Sequence, residues 1–322
     1  MNWESKKRLI VETLQNLDFL NENGLYSIIG DYMRPLYLAS GGYDGMIRIW
    51  DLETGVCVKI LGGNRYGVIS LVVTTDGLLC SAIADNTIKI WNLQTWKCEK
   101  TLKGHTRQIT SLAVTPNGLL CSASEDKTVK IWDLNKSENE ALLNTLKGHT
   151  REVTSLAVAP NGLLCSGSYD QTVRIWNLKT WKCEKTLEGH SGYVFILAVT
   201  PDGNLCSETQ YGSIKIWNLE TWELLKTLKD NEDTILSLAV TPDGKLCCGY
   251  ENGIIKIWNL RNRECVRTIK YYATKIMSLT TTPNGLLCSG GEDGTIYIWK
   301  LEDGKLSRIL NDKNYMPSLA LI

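Results

Sequence analysis

Phenylalanine is almost missing from this chain of 322 residues (2 in all), and histidine is scarce (3). Excess charge is missing too: 35 Lys and Arg balance 35 Asp and Glu. That balance speaks against nucleic acid or an anionic membrane as the main partner, because both favour a basic surface. No apolar run approaches the roughly 18 residues of a membrane span. Met1–Arg8 is charged, and no apolar stretch follows it that could form a signal-peptide core. There is no Cys-x-x-Cys, and three histidines are too few for a typical zinc site, so the 11 cysteines point to neither metal nor cofactor.

Tryptophan, by contrast, is abundant (11), and its placement is periodic. Trp50, Trp91, Trp132, Trp176, Trp217, Trp258 and Trp299 each follow an isoleucine. They are spaced by 41 residues except for one gap of 44. Self-similarity at a fixed period is the mark of a repeat architecture. The longer gap comes from three extra residues within Asn135–Ala141, which is therefore expected to be a surface loop. Within one period, Ile109–Val114 is an apolar run rich in β-branched residues, and Pro116-Asn117-Gly118 is a turn. Leu119–Ser124 is a second run, Glu125-Asp126-Lys127 turns again, and Thr128–Trp132 alternates in the manner of a strand. A fourth run leads into Leu146-Lys147-Gly148-His149. The period thus reads as four short strands with tight turns and no helical periodicity. Such sheets bury both faces only by packing face to face around an axis, and closing the ring leaves few free edges.

These residues carry a family resemblance. Gly104-His105 followed by Ile131-Trp132-Asp133 resembles a WD repeat, and the pattern recurs about seven times between Leu36 and Ile322. The resemblance implies an all-β, seven-bladed β-propeller of four-stranded antiparallel blades over residues 35–322. Residues 1–34 lie outside the repeats. There Trp3, Ile10, Leu14 and Leu17 form a helical stripe that Asn23-Gly24 would end. A short N-terminal helix is expected, packed on the rim or serving as a docking element; no F-box pattern is present.

Seven blades need one more inner strand than the repeats supply. Tyr26–Tyr32 is placed for it but contains Gly30 and Asp31, which suit an inner strand poorly. The better candidate is the C-terminal Ser318-Leu319-Ala320-Leu321, which echoes Ser111-Leu112-Ala113-Val114. That strand would latch the last blade to the first.

Resemblance to WD repeats further implies a structural hydrogen-bond tetrad of His, a strand hydroxyl, Asp and Trp. His105, Ser122, Asp126 and Trp132 fit it, as do His149, Ser166, Asp170 and Trp176. The Ser–His–Asp part mimics a catalytic triad, but its recurrence in different blades favours the structural role. Elsewhere the pattern lapses: Tyr211 and Asn252 replace the acid, Asn64, Asn231 and Tyr272 replace the histidine, and His190 has lost its acid. The cysteines fall into columns, Cys80, Cys121, Cys165, Cys206, Cys247 and Cys288 on second strands and Cys57, Cys98, Cys183 and Cys265 on fourth strands, with Cys248 extra. One thiol per blade is no cluster, and so many unpaired thiols suggest a reducing compartment, cytoplasmic or nuclear. The inner strands carry no ionisable group, so acid–base catalysis has no candidate there.

Function therefore falls to the surface. The expectation is a non-catalytic, cytoplasmic scaffold that binds other proteins or peptide motifs, monomeric alone but part of a complex, with no nucleic acid, membrane or cofactor. Aromatic anchors are the usual hot spots. Candidates are Tyr169, Tyr193, Phe195, Tyr211, Tyr271 and Tyr272 on one sector, with Tyr43 and Tyr66 on the other side. Trp96, Trp181 and Trp222, in turns between third and fourth strands, offer a second face, or merely pack over strand ends. Alternatives are a targeting or substrate-recognition subunit of a larger enzyme complex, such as a ubiquitin ligase or signalling assembly, and, less well supported, a propeller enzyme or lectin-like binder.

Overall fold

The computed structural model describes residues 36–63, 65–210, 212–229, 233–270, 274–312 and 318–322. The expected N-terminal helix, the Tyr26–Tyr32 segment, and Asn64, Tyr211, Asn231, Tyr271 and Tyr272 lie outside these residues. The described chain is all β: 28 strands form seven four-stranded antiparallel sheets. Blades 2 to 7 each use four consecutive strands, with inner strands β4 (Val68–Val73), β8 (Ile109–Val114), β12 (Val153–Val158), β16 (Val194–Val199), β20 (Ile235–Val240) and β24 (Ile276–Thr281).

Blade 1 is composite. Its strands β1 (Tyr37–Gly41), β2 (Met46–Asp51) and β3 (Cys57–Gly62) are completed by β28 (Ser318–Leu321), which pairs with β1 in antiparallel register, Leu38 opposite Leu321 and Gly41 opposite Ser318. The two ends of the propeller thus share one sheet.

The blades pack through seven apolar clusters, one at each junction. Between blades 1 and 2, Ile47, Ile49 and Leu61 meet Val68, Leu71, Leu79 and Trp91. The repeated Ile-x-Ile-Trp pattern on third strands supplies these side chains, and the buried cysteines fill the small spaces between them. Burial pushes the thiols of Cys165, Cys206, Cys247 and Cys288 up to about 12, so they stay protonated hydrophobes.

A second device binds the ring near its axis. Ser70 Oγ accepts from the Leu112 amide (3.1 Å), Ser111 from Leu156 (3.1 Å) and Ser155 from Leu197 (3.1 Å), each bond reaching the next blade. The closing strand takes part on both sides: Leu319 N–H donates to Ser278 (3.1 Å), and Ser318 accepts from Leu71 (3.0 Å). In blade 6 the hydroxyl turns round, and Ser237 donates to the Ile276 carbonyl (2.9 Å). Blade 5 has Ile196 in this position, so no such bond crosses from blade 5 to blade 6.

Candidate functional site

In blade 3, Asp126 Oδ2 lies 2.7 Å from His105 Nδ1, His105 Nε2 lies 2.8 Å from Ser122 Oγ, and the Trp132 indole donates to the same oxygen at 2.8 Å. Blade 4 repeats this with Asp170, His149, Ser166 and Trp176 at 2.8, 2.7 and 2.8 Å. The chain of donors is consistent: indole N–H to hydroxyl, hydroxyl to Nε2, and Nδ1–H to carboxylate. Burial disfavours the charged aspartates. The bonds from histidine and from the Thr128 or Thr172 hydroxyl prevail and hold both carboxyls well below the usual range. Neither serine can act as a nucleophile in this arrangement. Each Oγ is fully buried and already accepts from an indole, and every polar group in the chain has its partner.

Blades 1, 2, 5 and 7 keep the Trp–Ser bond, at 2.9 Å in each, without the full tetrad. Three positions in them escape the sequence reading. In blade 1, Asp312 takes the place of the imidazole: Ser40 donates to its Oδ2 (2.7 Å) and Arg48 pairs with its Oδ1 (2.9 Å). It sits one position before the histidine column, so column matching does not find it. In blade 6 the supernumerary Cys248 occupies the serine position, and Trp258 Nε1 is buried with no hydrogen-bond partner among the described residues. In blade 5, Glu208 stands where other blades have glycine or alanine. It is fully buried, two residues on from Cys206 and so on the face turned to blade 6, and neither carboxyl oxygen has a hydrogen bond among the described residues. Burial pushes its carboxyl up to about 9. His190, in the same blade, contacts Ser207 at 2.8 Å through Nε2. Its Nδ1 has no partner among the described residues, the Gln171 carbonyl being near but outside hydrogen-bond geometry. Burial, then the Lys215 charge, lower its imidazole to about 4.

The exposed chemistry gathers where blades 4 and 5 meet, on the face formed by the loops before the inner strands and the turns after the second strands. Tyr169 lies in the turn after β13 (Leu164–Ser168), Tyr193 precedes β16 and Phe195 lies within it. Their rings form one cluster: Tyr169–Tyr193 at 5.0 Å, Tyr169–Phe195 at 5.5 Å and edge-on, and Tyr193–Phe195 at 6.3 Å and edge-on. The edge-to-face pairings favour a fixed arrangement. The exposed Arg151 guanidinium lies 6.0 Å from the Tyr193 ring centre and donates to its hydroxyl at 3.4 Å. Burial, then Glu125 and Glu152, raise the Tyr169 phenol above its ordinary value. All three rings are half-buried. Tyr43 and Tyr66 point into solvent on the same face across the ring, each 52% exposed.

On the opposite face the three turn tryptophans share a left-handed backbone, with φ of 60° at Trp96, 61° at Trp181 and 65° at Trp222. That region is costly for a bulky residue. Their indoles pack onto apolar clusters at the blade 1–2, 3–4 and 4–5 junctions. They are half-buried lids, not a contiguous exposed patch. Among the described residues, no group of three or more His, Cys, Asp or Glu could hold a metal ion, and none of the 11 cysteines forms a disulfide.

A profile of the family described as WD40, "WD domain, G-beta repeat", matches residues 26–51, 55–92, 96–133, 140–177, 181–218, 222–259 and 263–300. Its first match begins with the segment at Tyr26, whereas the structure fills the inner position of blade 1 with β28. No curated protein matches the chain. Propellers of this kind are generally protein-interaction scaffolds and typically not enzymes. With seven matched repeats across most of its length and a seven-bladed propeller to house them, the protein belongs to the WD domain, G-beta repeat family.

Proposed function

We propose that this propeller is a scaffold that binds a protein or peptide through the Tyr169–Tyr193–Phe195 cluster, without catalysis of its own. The observation that carries this reading is the cluster itself: three half-buried aromatic rings with a guanidinium beside them at one blade junction. Aromatic and arginine side chains dominate binding energy where they sit in ordered pockets. The mixed charge around them, Arg151 against Glu125 and Glu152, suits a partner with both donors and acceptors. The free thiols favour a reducing compartment, cytoplasm or nucleus, with the propeller one subunit of an assembly.

The test is affinity purification from a native lysate with a Tyr169→Ala/Tyr193→Ala variant beside the wild type, both checked for the same melting temperature. A partner that is captured by the wild type and lost with the variant is the expected result. A partner retained by the variant at full yield moves the binding site elsewhere on the propeller.

A further inference from the structure

The turns between third and fourth strands follow a rule that one junction breaks. In three blades a cation on the fourth strand binds the turn of the next blade. On β27 (Leu306–Asn311), Arg308 donates to the Glu53 and Thr54 carbonyls of blade 1, both at 2.6 Å. On β23 (Glu264–Lys270), Arg267 does the same to Glu302 and Asp303 of blade 7. Lys100 reaches Leu134 and Lys136 in blade 3. The turns of blades 1 and 7 carry glycine, Gly55 and Gly304, and a side chain there would collide with the arginine. Where the turn carries tryptophan instead (blades 2, 4 and 5), the indole covers the junction.

At the blade 5–6 junction neither arrangement exists. The fourth-strand cation is Lys226, on β19 (Leu224–Lys229), and the facing turn residue is Arg263, held at φ 71°. The two cations confront each other: burial and then the Arg263 charge lower the Lys226 ammonium. Between them lies a cavity of about 720 Å³, lined also by Asn204, Asn259 and Arg261. That volume falls within the range of small-molecule sites. The acids on its wall already have partners, one of them Lys245, which lines the cavity too. Asp202 accepts from the Thr200 hydroxyl, and Asp243 from Thr241 and Lys245. Lys226, Arg261 and Arg263 have no ion pair among the described residues.

We propose that this cavity binds a small phosphate-bearing anion, held by Lys226, Arg261 and Arg263. Guanidinium groups match a phosphate's oxygens in pairs, and an ammonium adds a point charge. A bound dianion would separate Lys226 from Arg263 and take the place of the missing lid or clamp. The site lies on the face opposite the tyrosine cluster and does not depend on the binding reading above.

Calorimetric titration with inorganic pyrophosphate in low-salt, near-neutral buffer tests the assignment. Saturable binding with Kd below about 1 mM is expected. Arg263→Gly, which copies Gly55 and Gly304 and fits the left-handed backbone, should weaken it at least about fivefold without lowering the melting temperature. Arg263→Trp, which copies the lids, should do the same, while Lys182→Ala on blade 4 should leave binding unchanged. Absence of saturation, or equal affinity in wild type and both Arg263 variants, overturns the proposal. A phosphoserine hexapeptide titrated in parallel distinguishes the source. Tighter binding than pyrophosphate, again lost in Arg263→Gly, assigns the phosphate to a protein partner; weaker binding assigns it to a small molecule.

Discussion

Glu208 and Cys248 show how much one side chain changes in a repeated frame. The corresponding residues Gly167 and Gly249 face the next blade's inner strand at distances that leave no room for a side chain. Glu208 therefore carries its carboxyl into the blade 5–6 core and remains protonated at neutral pH. Its folded-state value is raised to about 9 from the ordinary glutamate value of 4.5. The folded form thus holds a proton that the unfolded form releases. Stability is full below about pH 4.5 and is lost as pH rises through 9, by about 3 kcal/mol already at pH 7. Glu208→Ala should melt above the wild type, by a margin that widens from pH 5 to pH 9; thermal melts across about that range check it, and a margin independent of pH would assign the cost to packing alone. Cys248→Ser should give the Trp258 indole the acceptor its counterparts have, with a gain of about 1 kcal/mol in chemical denaturation. Neither residue stands out in a reading of motifs. Glu208 is a single substitution on a second strand, outside the inner strands searched for acids, and Cys248 hides beside a cysteine column that explains itself. The tetrads of blades 3 and 4 were legible through the resemblance to WD repeats, which implies those four residue types at those positions.

Among the elements, the inner strand of blade 3 coincides residue for residue with the run Ile109–Val114 read from sequence, because a β-branched run bounded by a Thr-Pro-Asn-Gly turn leaves little freedom in its limits. The closing strand was legible for a similar reason, its Ser-Leu-Ala repeating the ring-facing serine and the core-facing leucine of its neighbours. What the pattern does not carry is the polar lock beside it. Asp312 has its carboxylate divided between Ser40 and Arg48, while Arg48 also holds Asp44 at 2.7 Å. Asp312→Asn leaves the guanidinium half-paired in a buried place and should cost about 3 kcal/mol in urea unfolding. Deleting residues 317–322 removes the strand and both of its axial serine bonds, and should yield insoluble or partly unfolded protein; a soluble truncation with the wild-type melting temperature would show that blade 1 is stable with three strands. The surface aromatics were only partly legible. Tyr169, Tyr193 and Phe195 come together because adjacent blades bring a turn and an inner strand side by side, a proximity that spacing along the chain does not display.

At the scale of the whole molecule, the seven junctions are not equal. Six have an axial serine bond, while the blade 5–6 junction has Ile196, a buried neutral acid and two opposed cations. This junction should open first under stress, and amides of β20 should exchange with solvent sooner than those of β8 or β12 in hydrogen-exchange mass spectrometry. Closure of the ring also sets a demand on how the protein is made. Ser40 and Asp312 are 272 residues apart. At a translation rate of roughly 5 to 20 residues per second, β1 waits on the order of 15 to 55 seconds on the ribosome before β28 exists to pair with it. Through that interval its hydrogen-bonding edge has no partner strand and Leu38, which packs against blade 7, has no cover, so the nascent first blade is a natural client for chaperones that shelter exposed strands.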